Sequence, residues 1–241
     1  MTKPYKNQPT GKKEQVALMF NNIARRYDFL NHFLSLGIDK RWRRKAIRHL
    51  SGIKKNPVLL DIACGTGDLA LEALALNPHK IIGLDISEEM LKIGRKKIEK
   101  RSYSHRISLQ YGDAEDLSFE DDFFDGITVA FGVRNFENLA RGLSEMRRVL
   151  KPGGRVVVLE FSRPRKFPVK QVYQFYFNLI LPVIGRVFSR DQSAYTYLPE
   201  SVNRFPEREQ FILAMEQAGF AQCKYRSLTF GIATIYYATK K

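Results

Sequence analysis

Cysteine is scarce: Cys64 and Cys223 are the whole complement, too few for a disulfide framework or a thiolate metal site. A reducing, cytoplasmic setting is therefore expected. The four histidines, His32, His49, His79 and His105, lack metal-ligand spacing, so no metal centre is expected. No uncharged apolar run reaches the ~20 residues of a membrane-spanning helix, and the polar, basic N-terminus has no signal-peptide core. Internal repeats and low-complexity tracts are missing, as are the signatures of common RNA-binding modules. Acidic charge is also short, with 25 Asp and Glu against 40 Lys and Arg, a formal net charge of +15. Much of the excess lies in 41–48 (RWRRKAIR) and 92–106. Such a surface suits anionic lipid or nucleic acid, or simply keeps the chain in solution.

What is present begins with Val58-Leu59-Leu60-Asp61-Ile62-Ala63-Cys64-Gly65-Thr66-Gly67-Asp68. An unbroken apolar run suits a strand buried on both faces, as in a parallel sheet. The Gly-x-Gly that follows permits a sharp turn and lets a ligand lie against the backbone. A third glycine would complete a dinucleotide fingerprint, and Ala70 stands there as a tolerated substitute. Charge argues otherwise. Asp61 and Asp68 flank the turn, which is poor for a pyrophosphate and acceptable for S-adenosylmethionine, whose sulfonium and ammonium are cationic. Lys80 to Asp85 reads as a second strand ending in an acid, 20 residues after Gly65, where a carboxylate can grip ribose hydroxyls. Asp113, after a third strand at 107–112, is placed to accept from an adenine amine.

Strand and helix alternate through the centre of the chain. Strands are expected at 58–63, 80–85, 107–112, 125–131 and 154–161, and helices at 68–76, 88–100 and 138–150. This rhythm predicts an α/β fold with a doubly wound, mostly parallel sheet and helices on both faces. A helix over 207–218, stopped by Gly219, leads to strands near 222–229 and 232–239, read as a closing hairpin. Residues 1–13 are polar and read as mobile, and helical periodicity runs from Glu14 to about Leu50. The division expected is an N-terminal helical extension over 1–50 and a catalytic domain over 51–241. An aromatic insertion at 163–200 interrupts the latter and reads as an apolar helix that caps a substrate cavity or lies on a bilayer surface.

Three segments carry a resemblance. Tyr27-Asp28-Phe29-Leu30-Asn31, continuing to Leu34-Ser35 and Trp42, is similar to Y-D-x-M-N-x-x-[LIVM]-S-x-x-x-H-x-x-W, with Leu30 for Met and Asp39 for His. Phe131-Gly132-Val133-Arg134-Asn135 resembles F-G-[LIV]-R-N, and Arg148 to Gly154 with Glu160-Phe161-Ser162 matches R-V-[LIVM]-K-P-G-G…E-x-S. Across nearly its whole length the chain resembles the UbiE/MenG family of quinone-biosynthesis C-methyltransferases. The resemblance implies a seven-stranded class I methyltransferase fold and S-adenosylmethionine as donor. The implied acceptor is the ring carbon of a polyprenylated quinol. Demethylmenaquinol is the reading preferred, with 2-polyprenyl-6-methoxy-1,4-benzoquinol as the alternative and RNA as a rival of another class. Family donor contacts map to Thr66, Asp85, Asp113 and Ala114, and to Ala130, whose methyl leaves only backbone to contribute. Asp61, Gly65 and Gly67 complete the expected donor set.

Arg134 and Asn135, just beyond the fourth strand, are the expected catalytic pair. Arginine stays protonated and cannot act as a direct base, but it can stabilise a developing oxyanion or orient a water that takes the proton. Asn135 can hold a quinol oxygen. Tyr27 is expected to close over the donor, and Tyr195 and Tyr197 to face the acceptor. Peripheral contact with a membrane surface is expected, no nucleic acid is, and the oligomeric state, a homodimer included, stays open.

Overall fold

The computed structural model describes residues 2–5, 8–35, 37–180 and 193–241; the side chains of Leu30, Asn31, Phe33, Leu34, Asn178, Ile180 and Tyr195 fall outside that description. Two helices, α1 (Lys12–Leu34) and α2 (Ile38–Arg48), precede β1 (Val58–Ile62), α3 (Asp68–Ala73), β2 (Lys80–Asp85), α4 (Glu88–Lys100) and β3 (Ile107–Tyr111). Then come β4 (Phe124–Ala130), α5 (Leu139–Val149), β5 (Leu150–Phe161) and α6 (Val169–Phe175), which runs on as a π turn, Tyr176–Ile180. The chain closes with α7 (Ser193–Arg204), α8 (Glu209–Gln217), β6 (Ala221–Leu228) and β7 (Ala233–Thr239).

One seven-stranded sheet runs in the order β3-β2-β1-β4-β5-β7-β6. The first five strands are parallel, and β7 is antiparallel to both neighbours. Side chains alternate across the sheet with period two. Leu59, Val157 and Leu159 face a core shared with Trp42, Ala46 and Ile47 of α2 and Leu69 of α3. Leu60, Ile62, Val156 and Val158 face α5 and α8 through Leu143, Met146, Phe211 and Met215. Chain order reverses between β1 and β4, so their C-terminal ends leave a crevice in which α/β sheets place ligands.

Several expectations need correction. The helical stretch expected from Glu14 to about Leu50 is made of two helices, broken before Gly37, whose φ of 71° turns the chain into α2. Residues 2–5 and 8–11, expected to be mobile, are tied to α1: Gln15, fully buried, accepts from the Tyr5 amide and donates to the carbonyls of Gln8 and Thr10. The strand expected to begin at 154 begins at Leu150. The closing hairpin forms, but β7 lies inside it against β5, in a register running from Arg155↔Thr239 to Phe161↔Ala233. Of the aromatic insertion, 181–192 lies outside the described residues. No described helix is long and apolar enough to cross a membrane.

Candidate active site

The crevice carries backbone strain at both of its lips. Ala63, just after β1, has φ 51°, and Phe131, just after β4, has φ 58°, a region unfavourable for side chains larger than glycine. Gly132 fits beside them because a Cβ there would sit 2.5 Å from the Ala63 Cβ. Gly65 and Gly67, at φ 55° and 80°, make the turn as expected. The close approach of a helix to this turn falls to Gly94 of α4, where a Cβ would meet the Thr66 carbonyl carbon at 3.1 Å. Nothing in the glycine pattern of the turn itself had pointed to Gly94.

The strand-end acids then line up. Asp61 is 2% exposed; its Oδ1 accepts from Thr128 Oγ1 at 2.8 Å, and its buried Oδ2 has no partner. Burial pushes its pKa up to about 7. Asp85 accepts from the amides of Gly65 and Ser87, each at 2.8 Å, and burial raises it to about 6. Asp113 accepts from the amide of Glu115 at 2.9 Å and pairs closely with Lys13 of α1. Asp85, Asp113, Ala114, Ala130 and Gly65 line one cavity, roofed by Val16, Phe20 and Tyr27 of α1. Thus α1 covers this cavity.

Thr66 turns elsewhere. Its hydroxyl donates to Asp28 at 2.6 Å and accepts from Lys97 at 2.9 Å, so only its backbone faces the turn's ligand side. Lys97 is a hub that also reaches Asp28 at 2.5 Å and Asp68 at 2.8 Å, fixing α1, α3 and α4 together. Asp68, read from sequence as a bare flanking acid, is held below its usual range despite burial by Arg43 and Lys97. Next to it Asp39, the departure from the family signature, is 1% exposed and bonded to His32 Nδ1 at 2.8 Å, Ser35 at 2.7 Å and Arg43. The imidazole missing from position 39 is thus supplied to the same cluster by His32.

Arg134 is buried, not a surface ion-pair residue. Its side chain is 8% exposed and meets the fully buried Glu160 at 2.8 Å. Its guanidinium also donates to the Phe131 carbonyl and to Ser201 Oγ at 3.3 Å, and lies 5.6 Å over the Phe161 ring. Arg134 also borders a second, apolar cavity of about 610 Å³. Trp42, Phe131 and Phe161 form one wall, with Phe131 and Phe161 stacked at 4.4 Å. Tyr173, Tyr176 and Phe177 of the α6 segment form the other. Tyr27 and Phe131 border both cavities, so the two adjoin there. Burial raises the Tyr27 phenol to about 12, which keeps it neutral.

Asn135 borders the donor cavity, and its Oδ1 accepts from Tyr197 at 3.1 Å. Tyr197, expected at the acceptor, is instead 3% exposed behind Arg134 and positions Asn135. Tyr195 lies on α7, its side chain outside the described residues. Sequence reasoning missed Glu160, Lys97, Lys13 and Tyr173. An acid closing the run Val156 to Leu159 was a usable signal for Glu160, being the pattern that exposed Asp61.

A sheet of this order, with acids at successive strand ends around a glycine turn, defines a class I S-adenosylmethionine-dependent methyltransferase. Among solved structures, a SAM-dependent methyltransferase of Thermotoga maritima superposes with a TM-score of 0.65 at 21% identity, covering 93% of this chain and 99% of that one. The model of the ubiE/COQ5 methyltransferase family matches residues 8–240. The demethylmenaquinone methyltransferase of Bacteroides fragilis is 51% identical over 240 residues, covering 99% of this chain and 97% of its own. A ubiquinone/menaquinone biosynthesis C-methyltransferase UbiE of Geotalea daltonii is 50% identical over 233 residues, 96% of this chain and 98% of its own. The chain belongs to the ubiE/COQ5 methyltransferase family.

Proposed function

We propose that the protein methylates a ring carbon of demethylmenaquinol, giving menaquinol, with S-adenosylmethionine as donor. The observation that carries this reading is the meeting of two unlike cavities at Tyr27 and Phe131, one edged by acids and the other aromatic and apolar. The full-length similarity to proteins named for demethylmenaquinone methylation supports the choice of acceptor.

The donor fits the residues present. Asp61 borders a small neighbouring cavity with Gly65, Thr66 and Ala130, and its Oδ2, buried without a hydrogen bond, suits the donor's ammonium, because a buried carboxylate oxygen needs a hydrogen-bonding cation. Asp85 would hold the ribose and Asp113 with Ala114 the adenine, while the backbone of Gly65, Thr66 and Gly67 would lie along the amino-acid arm. When bound, S-adenosylmethionine supplies a methyl group activated by its sulfonium.

The remaining chemistry belongs to the chain. Trp42, Phe131 and Phe161 on one side and Tyr173, Tyr176 and Phe177 on the other exclude water and hold a flat ring between them, so the reacting carbon is held in line rather than found by diffusion. Arg134, fixed by Glu160, stabilises the negative charge that gathers on the quinol oxygen as the carbon becomes nucleophilic. Asn135, its Oδ1 engaged by Tyr197, keeps its amide hydrogens free to donate to the same oxygen or to the donor. The donor would supply the methyl that replaces the hydrogen of the ring carbon; that carbon's proton would leave to a water oriented by Arg134, and the quinol oxygen would take back the proton it gives up while the carbon is nucleophilic. The guanidinium itself stays protonated throughout.

Competition between two quinols tests the acceptor. With short-tailed analogues, the bicyclic naphthoquinol is expected to show a kcat/KM roughly tenfold or more above that of the monocyclic methoxybenzoquinol, since the fused ring adds apolar contact in the aromatic slot. A preference for the monocyclic ring would move the protein to the ubiquinone branch.

A further inference from the structure

The α6 segment is apolar on two faces, and only one of them is covered. Tyr173, Tyr176 and Phe177 turn inward and line the acceptor cavity. Val172, at the cavity's edge, and Phe175 and Leu179, spaced three and four apart along one stripe, are 66%, 58% and 56% exposed. An amphipathic helix on a protein surface normally turns polar residues outward. Here the outward stripe is flanked by two further rings, Phe167 at 80% and Phe230 at 82% exposure. Phe230 stands at the β6–β7 turn with φ 57°, between Thr229 and Ile232, which themselves border the cavity. Exposed aromatics thus rim the mouth of the acceptor site.

Charge selects the medium that covers this rim. From Arg163 to Ile180 there is no acidic residue, while Arg163, Arg165, Lys166 and Lys170 are basic. Lys166 and Lys170 are exposed beside Phe167. A second copy of this chain would bring the same positive charge to the contact and repel it. An anionic bilayer offers an apolar interior for the rings and a negative surface for the basic groups.

We propose that the outward face of α6, with Phe167 and Phe230, embeds in an anionic lipid surface, so that the cavity opens directly onto the bilayer. An isoprenoid-tailed acceptor then enters its site laterally, its tail passing out beside Val172 and never crossing water. This rests on the quinol reading of the cavity for the identity of what enters, though not for the docking itself.

The test is co-sedimentation of the full chain with phosphatidylcholine vesicles, with and without phosphatidylglycerol. Binding is expected with the anionic vesicles and should weaken as salt rises. The variant Phe167→Ser/Phe175→Ser/Phe230→Ser should lose at least tenfold in vesicle affinity, and Lys166→Ala/Lys170→Ala roughly fivefold per lysine. Leu213→Ser, at an exposed apolar position on α8, should bind as the unaltered chain does. The triple variant should keep its activity, within about twofold, toward a short-tailed acceptor in solution and lose it toward acceptor embedded in vesicles. Failure of the unaltered chain to bind anionic vesicles, or triple-variant binding equal to it, overturns the proposal. So does a dimer in sedimentation velocity that the triple variant abolishes, because the face would then belong to a second copy. Vesicle binding without activity on any quinol would leave the docking standing and refute the function.

Discussion

Replacing Arg134 with alanine is expected to lower turnover by roughly 10²–10³-fold while leaving donor affinity within about threefold, as measured by methyl transfer and by calorimetric titration of the donor. The asymmetry follows from position. Arg134 borders the acceptor cavity and not the donor cavity, and its charge is useful only as the quinol oxygen becomes negative. The same change strands Glu160, fully buried, without its cation, and breaking such a pair costs about 3–5 kcal/mol. Stability must therefore be separated from chemistry. Arg134→Lys keeps the charge and loses the planar fork that reaches Glu160, Phe131 and Ser201 together. It should retain more of the fold than the alanine variant and still lose most of the turnover. A lysine variant with full activity would show that charge alone suffices; an alanine variant with full activity would remove Arg134 from the reaction.

The second large effect is on donor binding. Asp61→Asn is expected to weaken it about 10- to 100-fold, the range of a hydrogen bond to a charged partner. Its pH dependence identifies the group. Burial raises Asp61 to about 7, so in the donor-free protein it holds a proton that the unfolded chain, with an ordinary carboxyl near 4, has already lost. The sign is opposite to that of a salt-bridged acid: its contribution to stability is present at low pH and lost as pH rises from about 4 to about 7. The donor's ammonium needs the carboxylate, so donor affinity should fall about tenfold per unit below pH 7 and level off above it. Proton release on binding at pH 6, seen as a buffer-dependent enthalpy, should fall by most of a proton in Asp61→Asn, the remainder belonging to Asp85. Asp85, raised by burial to about 6, should leave a smaller dependence one unit lower. Donor affinity independent of pH between 5 and 8 would contradict the role of both acids.

The features legible from sequence were those with a local cause. The apolar run into Asp61, the acids at Asp85 and Asp113 and the Gly-x-Gly turn each announce themselves within a few residues, and the structure places them at adjoining strand ends. The pairing of β7 with β5 has no such signature. It brings Phe161 to Ala233 across more than 70 residues, and only the shared burial of two apolar strands decides it. Charged groups behaved similarly. Lys97 looked like one lysine in a basic run, yet it joins Asp28, Thr66 and Asp68 from two other elements. Lys13 looked like part of a polar tail, yet it sits on Asp113. The Asp39 departure from the family signature carried no sign in sequence of its bond to His32, seven residues earlier. The break before Gly37 separates the two helices that make that contact, and periodicity alone does not mark it.

The central claim is that the acid-edged cavity delivers a methyl group to a quinol carbon held in the aromatic one. Methyl-labelled S-adenosylmethionine incubated with the protein, demethylmenaquinol and RNA in one vessel tests it most directly. Label on the ring carbon of menaquinol, confirmed by mass spectrometry of the isolated quinone and abolished in Arg134→Ala, is the expected result. Label in RNA with none in the quinone, or label on a quinol oxygen in place of carbon, would contradict it.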